Sequence, residues 1–292
     1  MYQGVQKKSI FKILFYMLPA MLPLLIFYII PVFVTFYISM TDWDYMSPII
    51  NYVGLENYQD ILSEKTFYRV LWQTVIFCIG TVIPSIFGGM IAAILLQKTK
   101  FAEFYRTFIF APYITPLVAV SIVWSWIFEP RVGIANAIIE FLGGTGLGWT
   151  RDPNTAMLAV IIVTVWSSIG YYMIFYMDAL NKVPQDLYKE ASLVGASTWQ
   201  KFRRITLPLI SPTTFFMLVL GIIDALQAYD QISVLTNGGP SGSTMTILYY
   251  YYFLAFRSFK TGEASAVGVI LLIITALLSY FQFKWSKRWV HY

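Results

Sequence analysis

Residues 181–212 read NKVPQDLYKEASLVGASTWQKFRRITLPLISP, a polar run that two long apolar segments flank. The run predicts two short helices joined at an elbow. Pro184 suits the first helical position, where its missing N–H costs nothing. Gly195 suits a helix end, because glycine adopts positive φ without a steric penalty. Ser197 and Gln200 have capping-box spacing, which predicts that a second helix starts just beyond the elbow.

The same run resembles the EAA loop of permeases from ATP-binding-cassette (ABC) importers. The pattern of that family is Glu-Ala-Ala, three residues, Gly, and then Ile-x-Leu-Pro. Here it is matched by Glu190-Ala191-Ser192, Gly195 and Ile205-Thr206-Leu207-Pro208, with Ser192 in place of the second alanine.

In that family the loop is the coupling helix, which docks into a groove on a cytoplasmic ATPase. Small side chains at the motif would let another surface approach closely. An ordinary hairpin between two membrane helices is the alternative interpretation. The resemblance implies an ATPase contact by Glu190, Ala191, Ser192, Gly195, Leu207 and Pro208.

The composition is that of an integral membrane protein. Of 292 residues, 58% are hydrophobic and 12% are charged, whereas soluble domains carry about 25% charged residues. The mean hydropathy is +0.65. The sequence has a single cysteine, Cys78, so neither a disulfide framework nor a thiol metal site can form within it. The single histidine, His291, is the penultimate residue, so histidine-based catalysis within the membrane is not expected. We therefore assign no catalytic, cofactor-binding or metal-binding residue and do not expect an enzyme.

Six apolar segments are long enough to cross a bilayer, which takes about 20 helical residues. They predict an all-α integral membrane protein that crosses the cell membrane six times and forms a single membrane domain over residues 1–292. The basic Lys7, Lys8 and Lys12 precede a first segment too long for a cleavable signal, so we expect it to stay as an anchor. The segments, none with a Lys or Arg, are residues 13–40, 70–96, 107–128, 156–180, 212–235 and 264–283.

The net charge of +5 comes from basic residues between these segments, so it indicates topology and not a nucleic-acid surface. Fourteen basic residues flank one side of the segments and six flank the other. The positive-inside rule then puts both termini and the loop of residues 181–212 in the cytoplasm. The fourteen are Lys7, Lys8, Lys12, Lys98, Lys100, Arg106, Lys182, Lys189, Lys201, Arg203, Arg204, Lys284, Lys287 and Arg288; the six are Lys65, Arg69, Arg131, Arg151, Arg257 and Lys260.

The segment Leu235-Thr236-Asn237-Gly238-Gly239-Pro240, with Ser243-Thr244 after it, is similar to one in permeases of carbohydrate importers. In that family it is an external loop that reaches toward the binding protein; a simple turn is the alternative. The resemblance is closest to the larger permease subunit of the maltose-type branch. It implies the six-helix core of type I importers, in which helices two to five form the translocation unit and the first helix wraps a sister subunit.

No G-x-x-x-x-G-K-[ST] motif occurs, so nucleotide binding is expected on another chain. The resemblance then implies a sister permease, two ATPase subunits that bind ATP and Mg²⁺, and one extracytoplasmic solute-binding protein. No nucleic-acid partner is expected, and lipid surrounds the spans.

Candidate substrate contacts are polar and aromatic residues within the apolar segments. An intramembrane carboxylate is costly and usually faces a cavity or a partner. Asp224 and Asp230 are about 240° apart on a continuous helix, which predicts that they do not share a face. Gly221 shares the face of Asp224, and Gln227 borders it. We expect Asp224 and Gln227 to contact the solute. For Asp224, structural hydrogen bonding is an equal alternative. Asp230 could instead pair within the protein.

Two aromatic residues of the fourth segment, Trp166 and Tyr171, occupy positions similar to sugar-stacking residues of the maltose permease. Aromatic faces suit the C–H faces of a pyranose ring, although packing in the core explains such residues equally well. Tyr113 and Trp124 of the third segment are weaker candidates. Together with the absence of Lys and Arg from the segments, this set favours a neutral sugar or oligosaccharide.

Two rival functions remain open. A proton-coupled secondary transporter could relay protons through Asp224 and Asp230, but a coupling loop has no role there and no second half is detectable. A membrane enzyme would need a nucleophile–base pair or a metal cluster, and the sequence shows neither.

Overall fold

The computed structural model describes residues 3–97 and 99–287. Lys98, Arg288 and His291 lie outside the described residues, as do both chain ends, so the predicted position of the termini stays a prediction. Within the described ranges the regular structure is helical, with one isolated bridge between Thr41 and Tyr52. The α-helices are α1 (Gln3–Leu24), α2 (Ile30–Ile38), α3 (Glu56–Ser63), α4 (Lys65–Leu96), α5 (Ala102–Ile114), α6 (Leu117–Ile127), α7 (Ile134–Phe141), α8 (Ala156–Asn181), α9 (Gln185–Leu193), α10 (Thr198–Lys201), α11 (Leu207–Leu209), α12 (Ser211–Leu226), α13 (Asp230–Leu235), α14 (Ile247–Tyr252) and α15 (Thr261–Ser286).

Four helical stretches are long and apolar enough to cross a membrane on their own. Two further pairs of helices pass the same test together but are bent, so the described chain has four spans, or up to six if each bent pair is one span. π-Helical turns at Leu25–Ile29 and Phe202–Thr206 join neighbouring helices without a gap. A third, Phe253–Arg257, continues α14, and α15 begins only at Thr261. The single stretches are Phe15–Ile38, Lys65–Leu96, Ala156–Asn181 and Thr261–Ser286.

The third predicted segment is bent and not straight. α5 and α6 meet at 97°. Pro116 lies at the bend, and a proline disfavours helical geometry at the residue before it: Thr115 is extended, with ψ 134°. Pro84, by contrast, lies inside α4 without interrupting it.

The fifth predicted segment is also discontinuous. A turn of 63° between Thr198–Leu209 and Ser211–Leu226 lies just before the start of this segment, which was predicted at residue 212. Its helix then ends at Leu226, and α13 begins only at Asp230. Irregular backbone at membrane depth is tolerated where it lines a cavity, and residues 227–229 do line one, as described below.

The residues divide into two compact units. In the unit of Lys65–Tyr250 and Leu271–Tyr292, α4 and α8 pack closely because glycines face the contact. A Cβ on Gly89 would overlap the backbone of Tyr172 and Met173, and one on Gly170 would overlap the backbone of Ile109 and Phe110 in α5. Small residues at such contacts are typical of helix packing in membranes.

The other unit comprises Met1–Glu64 and Tyr251–Ile270. Its connection after α2 is fixed by the buried Asn57, whose side-chain amide donates to the carbonyl oxygens of Ser39 and Thr41, each at 2.8 Å. Hydrogen bonds from the side chain and backbone of Asn51 hold the pKa of Asp42 below its ordinary value. That the two units form the single predicted domain stays a prediction.

Candidate functional site

A cavity of about 490 Å³ lies among α4, α5, α8 and α12, at the points where the two discontinuous helices break. Its lining combines hydroxyl, amide, carboxylate and aromatic groups, and among the described residues no Lys or Arg lines it. The polar and aromatic lining residues are Thr81, Ser85, Tyr113, Thr115, Thr164, Ser167, Ser168, Tyr171, Tyr172, Asp224, Gln227, Tyr229, Asp230 and Gln231.

Both carboxylates of the fifth segment line this cavity. The sequence-based prediction that Asp224 and Asp230 cannot share a face was wrong. That prediction assumed one continuous helix, whereas the three residues 227–229 leave helical geometry and redirect the chain before Asp230.

Most of the predicted solute contacts are brought together. Tyr171, Gly221, Asp224, Gln227 and Asp230 all line the cavity.

Trp166 does not line it. Its ring meets the ring of Trp124 edge-on, with 5.5 Å between centroids, and the remainder of its side chain is exposed. Tyr113, a weaker candidate, lines the cavity and stacks on Tyr171 with 4.6 Å between ring centroids and 24° between planes.

One glycine sets the shape of the cavity wall. A Cβ on Gly221 would overlap the hydroxyl group of Tyr172. The absence of a side chain on α12 therefore admits the Tyr172 hydroxyl between α8 and α12. Tyr172 was not predicted as a site residue.

Hydroxyl groups of α4 and α8 and an amide of α13 form further parts of the lining that the sequence did not predict. Ser168 and Ser85 hydrogen-bond at 2.8 Å across α8 and α4. The side-chain amide of Gln231 donates to the Thr164 hydroxyl at 3.3 Å, which ties α13 to α8. The sequence did carry a signal, because positions 164, 168 and 171 repeat at helical spacing within an apolar segment.

The elbow of residues 181–212 has the predicted local structure. α9 is followed by Gly195 at φ +76°, and α10 starts after Ser197. The capping box is complete: the Gln200 N–H donates to the Ser197 hydroxyl at 3.3 Å, and the Ser197 N–H donates to the Gln200 side-chain oxygen at 2.7 Å. Pro184 lies one residue before the first helical residue, Gln185, and not within the helix.

Two further hydrogen bonds brace the elbow. The Lys201 ammonium donates to the Ser192 hydroxyl at 2.7 Å, and the hydroxyl groups of Tyr188 and Thr206 are 2.8 Å apart. Three large apolar side chains are exposed at its tip: Leu193 (87%), Val194 (84%) and Trp199. We did not predict this apolar tip, because the motif directs attention to its small residues.

The spacing of the motif in this chain differs from the family pattern. Two residues, Leu193 and Val194, separate Ser192 from Gly195, whereas the family pattern has three. Counted back from Gly195, the Glu-Ala-Ala positions fall on Lys189, Glu190 and Ala191. The match therefore rests on Gly195 and the Ile-x-Leu-Pro residues more than on the acidic position.

The loop that follows α13 is compact. Asn237 and Ser241 are exposed and have φ of 50° and 53°, while Ser243 and Thr244 are buried. The Thr236 and Thr244 hydroxyl groups are 2.7 Å apart and close the loop on itself. The predicted turn is present, and its exposed part is limited to the tip.

The comparisons with known proteins agree with this architecture. Residues 85–292 match the model of the binding-protein-dependent transport system inner membrane component family. The chain is 32% identical over 288 residues to the probable ABC transporter permease protein YurN of Bacillus subtilis, with 97% of this chain and 98% of that one covered. It is 32% identical over 271 residues to the trehalose/maltose transport system permease protein MalF of Thermococcus litoralis, with coverage of 92% and 90%.

Among solved structures, a chain of a bacterial ABC transporter involved in the import of the acidic polysaccharide alginate superposes with a TM-score of 0.83. That comparison covers 98% of this chain and 99% of the other at 21% identity, so it shows the fold alone. The class is thus that of ABC-importer membrane subunits. The chain belongs to the binding-protein-dependent permease family, whose members are multi-pass proteins of the inner membrane, and it is a transport subunit.

Proposed function

We propose that this permease conducts a neutral sugar or oligosaccharide. The observation that carries the proposal is the cavity: aromatic faces, hydroxyl groups, two amides and two carboxylates surround it, and among its described lining residues none is basic. Related permeases are named for trehalose and maltose, for arabinooligosaccharides and for lactose. Asp224 and Gln227 would accept and donate hydrogen bonds to hydroxyl groups, and the Tyr113–Tyr171 stack would present a ring face.

The proposed solute carries no charge. A relative from Agrobacterium fabrum is named for sn-glycerol-3-phosphate, which is an anion. An anion in this cavity would face Asp224 and Asp230 without a compensating cation from this chain, and its desolvation would be costly. The stacking of Trp166 on the sugar stays a prediction, since Trp166 is not among the residues that line the cavity.

Energy for transport would come from other chains. In the proposed orientation the elbow and both termini face the cytoplasm. The apolar tip of Leu193, Val194 and Trp199, together with Gly195, would dock on an ATPase that holds ATP and Mg²⁺. Glu190, Ala191, Ser192, Leu207 and Pro208 would support that contact. Exposed apolar side chains on a polar loop support this, because such patches mark interaction sites.

The proposed assembly contains a sister permease, two ATPase subunits and one extracytoplasmic binding protein. This chain would contribute one six-span permease domain, with each bent pair counted as one span. The compact loop after α13, with Asn237 and Ser241 at its tip, would contact the binding protein.

A second candidate is a proton-coupled transporter. It gains support from one observation, namely that Asp224 and Asp230 line the same cavity and could exchange a proton through the solvent within it.

One reconstitution experiment separates the two candidates. The chain alone and the assembled complex are placed in liposomes, and uptake of neutral oligosaccharides, sugar phosphates and uronic acids is measured with internal ATP or with a pH gradient. We expect ATP-dependent uptake of a neutral oligosaccharide by the complex only. Uptake by the chain alone under a pH gradient would establish the proton-coupled mechanism. Preference for the anionic solutes would refute the proposal that the cavity takes a neutral solute.

A further inference from the structure

The connection between α6 and α8 carries an apolar surface that nothing in the described chain covers. Its short helix α7 exposes Ile134, Ile138 and Phe141, with Phe141 at 89% and the next residue, Leu142, at 77% exposure. Positions 134, 138 and 141 lie on one side of a helix at 3.6 residues per turn. We call Ile134, Ile138, Phe141 and Leu142 the α7 stripe.

α7 is held rigidly by one buried side chain. The Asn136 amide group donates to the carbonyl oxygens of Pro130 and Leu147, both at 2.9 Å. Its oxygen accepts from the Trp149 indole N–H at 2.7 Å and from the Leu147 N–H at 3.0 Å. All polar atoms of this amide are thus used to fix α7 in place, and the α7 stripe is a fixed surface.

Further contacts of Trp149 and its neighbours fix α7 beside the end of α6. The ring of Trp149 stacks on Phe128, with 4.6 Å between centroids and 26° between planes, and Phe128 directly follows α6. Arg151 pairs with Glu129 at 2.6 Å. Because Trp149 also bonds to Asn136, α7 is tied to the end of a membrane helix, where the exposed Trp126 is a residue type typical of the bilayer interface.

We propose that α7 lies in the interfacial layer of the bilayer and that the α7 stripe contacts the lipid acyl chains. Contact of a contiguous stripe of large apolar side chains with water would be unfavourable. Helices that lie in the interface bury such a face to a depth of about 5–10 Å. The charged Arg131 and Glu140 are exposed at either end of α7, where lipid headgroups and water can solvate them. The helix thereby fixes the depth of α6 and of the bend at Pro116.

The test measures what surrounds the α7 stripe. The complex that purifies with this chain is reconstituted in phosphatidylcholine liposomes, with Cys78→Ser as background and one nitroxide label at Ile138→Cys, Phe141→Cys or Thr145→Cys. Thr145, exposed in the polar loop beyond α7, is the matched control. Relaxation by oxygen, which concentrates in lipid, is compared with relaxation by a neutral nickel chelate, which stays in water.

We expect labels at 138 and 141 to be accessible to oxygen and protected from nickel, with the opposite result at 145. Nickel accessibility at 138 and 141 would show that the stripe faces water and would overturn the proposal. Protection from both reagents would overturn it as well, because it would show that the stripe is buried against another protein, such as the sister permease.

Discussion

A single residue, Gly221, shapes the cavity where α12 packs closely against α8. Gly221 admits the hydroxyl group of Tyr172. Tyr172, Gly221 and Asp224, which follows one helical turn after Gly221, all line the cavity. A larger residue at position 221 would therefore displace the Tyr172 hydroxyl and change the lining next to Asp224.

The solute contact of Asp224 can be tested with a nearly isosteric substitution. A hydrogen bond to a charged acceptor contributes roughly 1 kcal/mol more than one to a neutral acceptor, so Asp224→Asn should raise the KM for uptake about fivefold. The control is Asp178→Asn, which removes an exposed carboxylate paired with Lys182 at 2.6 Å, a kind of pair that contributes about 0–1 kcal/mol. An unchanged KM in Asp224→Asn would remove this residue from the proposed contact.

Gly195 offers a second test, because strain and bulk can be separated there. Nothing lies within 4 Å of a Cβ built on Gly195, but φ is +76°. Gly195→Ala therefore adds only strain, of about 1 kcal/mol, and should reduce binding-protein-stimulated ATPase activity only slightly. Gly195→Trp adds bulk at the docking tip and should reduce it at least tenfold, equivalent to about 1.4 kcal/mol, while the protein still inserts in the membrane. Equal effects in the two variants would argue against a docked surface.

At the scale of elements, two interrupted helices make the site. α5 and α12 end at the cavity, and α6 and α13 start there and pack against each other. The pair α6–α13 is tied to α8 by the Gln231–Thr164 hydrogen bond. Breaks in two helices contribute to the polar lining of the cavity, since residues 115–116 of one break and residues 227–229 of the other line it.

The bend between α5 and α6 should be essential for transport. Pro116→Ala restores a backbone N–H and releases Thr115 from extended geometry, so α5 can continue into α6 and the cavity loses its lining at that point. We expect uptake to fall at least tenfold with normal membrane levels. Pro84→Ala, in the uninterrupted α4, is the matched control and should leave uptake within about twofold, since Pro84 causes no break. Comparable losses in both variants would contradict a specific role for the bend.

Much of this element-level picture follows from sequence, and the exceptions have physical causes. The end of the first elbow helix at Gly195 and the capping box of Ser197 and Gln200 were predicted correctly, because a positive-φ glycine and a capping box are local; Pro184 was predicted one position too far into the helix. The fourth span was predicted as residues 156–180 and observed at Ala156–Asn181, because hydrophobicity alone sets its length. The break at residues 227–229 was not predictable in this way: no proline or glycine marks it, and the polar cavity that tolerates it is built by residues distant in sequence.

At the scale of the whole molecule, the first span stands out. None of the most apolar part of Phe15–Ile38 is buried within the described chain. Lipid can solvate such a helix, but a span with so little burial among the described residues offers a large apolar surface to a partner chain as well. The proposed sister permease would supply that contact.

Photo-crosslinking can test this assembly. Benzoyl-phenylalanine in place of the exposed Phe27 or Phe33 should yield a covalent adduct with the sister permease in membranes. The same variants expressed without the sister chain are the control and should yield none. If scanning every exposed aromatic position of this span produced no adduct, the span would be a lipid-facing anchor and the proposed contact would be lost.

The hydrogen bonds of the elbow also bear on how such permeases diversify. The capping box, the Ser192–Lys201 bond and the Tyr188–Thr206 bond all begin and end within the elbow. Its shape is therefore fixed largely by contacts within the segment itself. In the proposed assembly, exchange of these residues between related permeases would change the ATPase partner and leave the cavity as it is, so that coupling and specificity would evolve as separate traits.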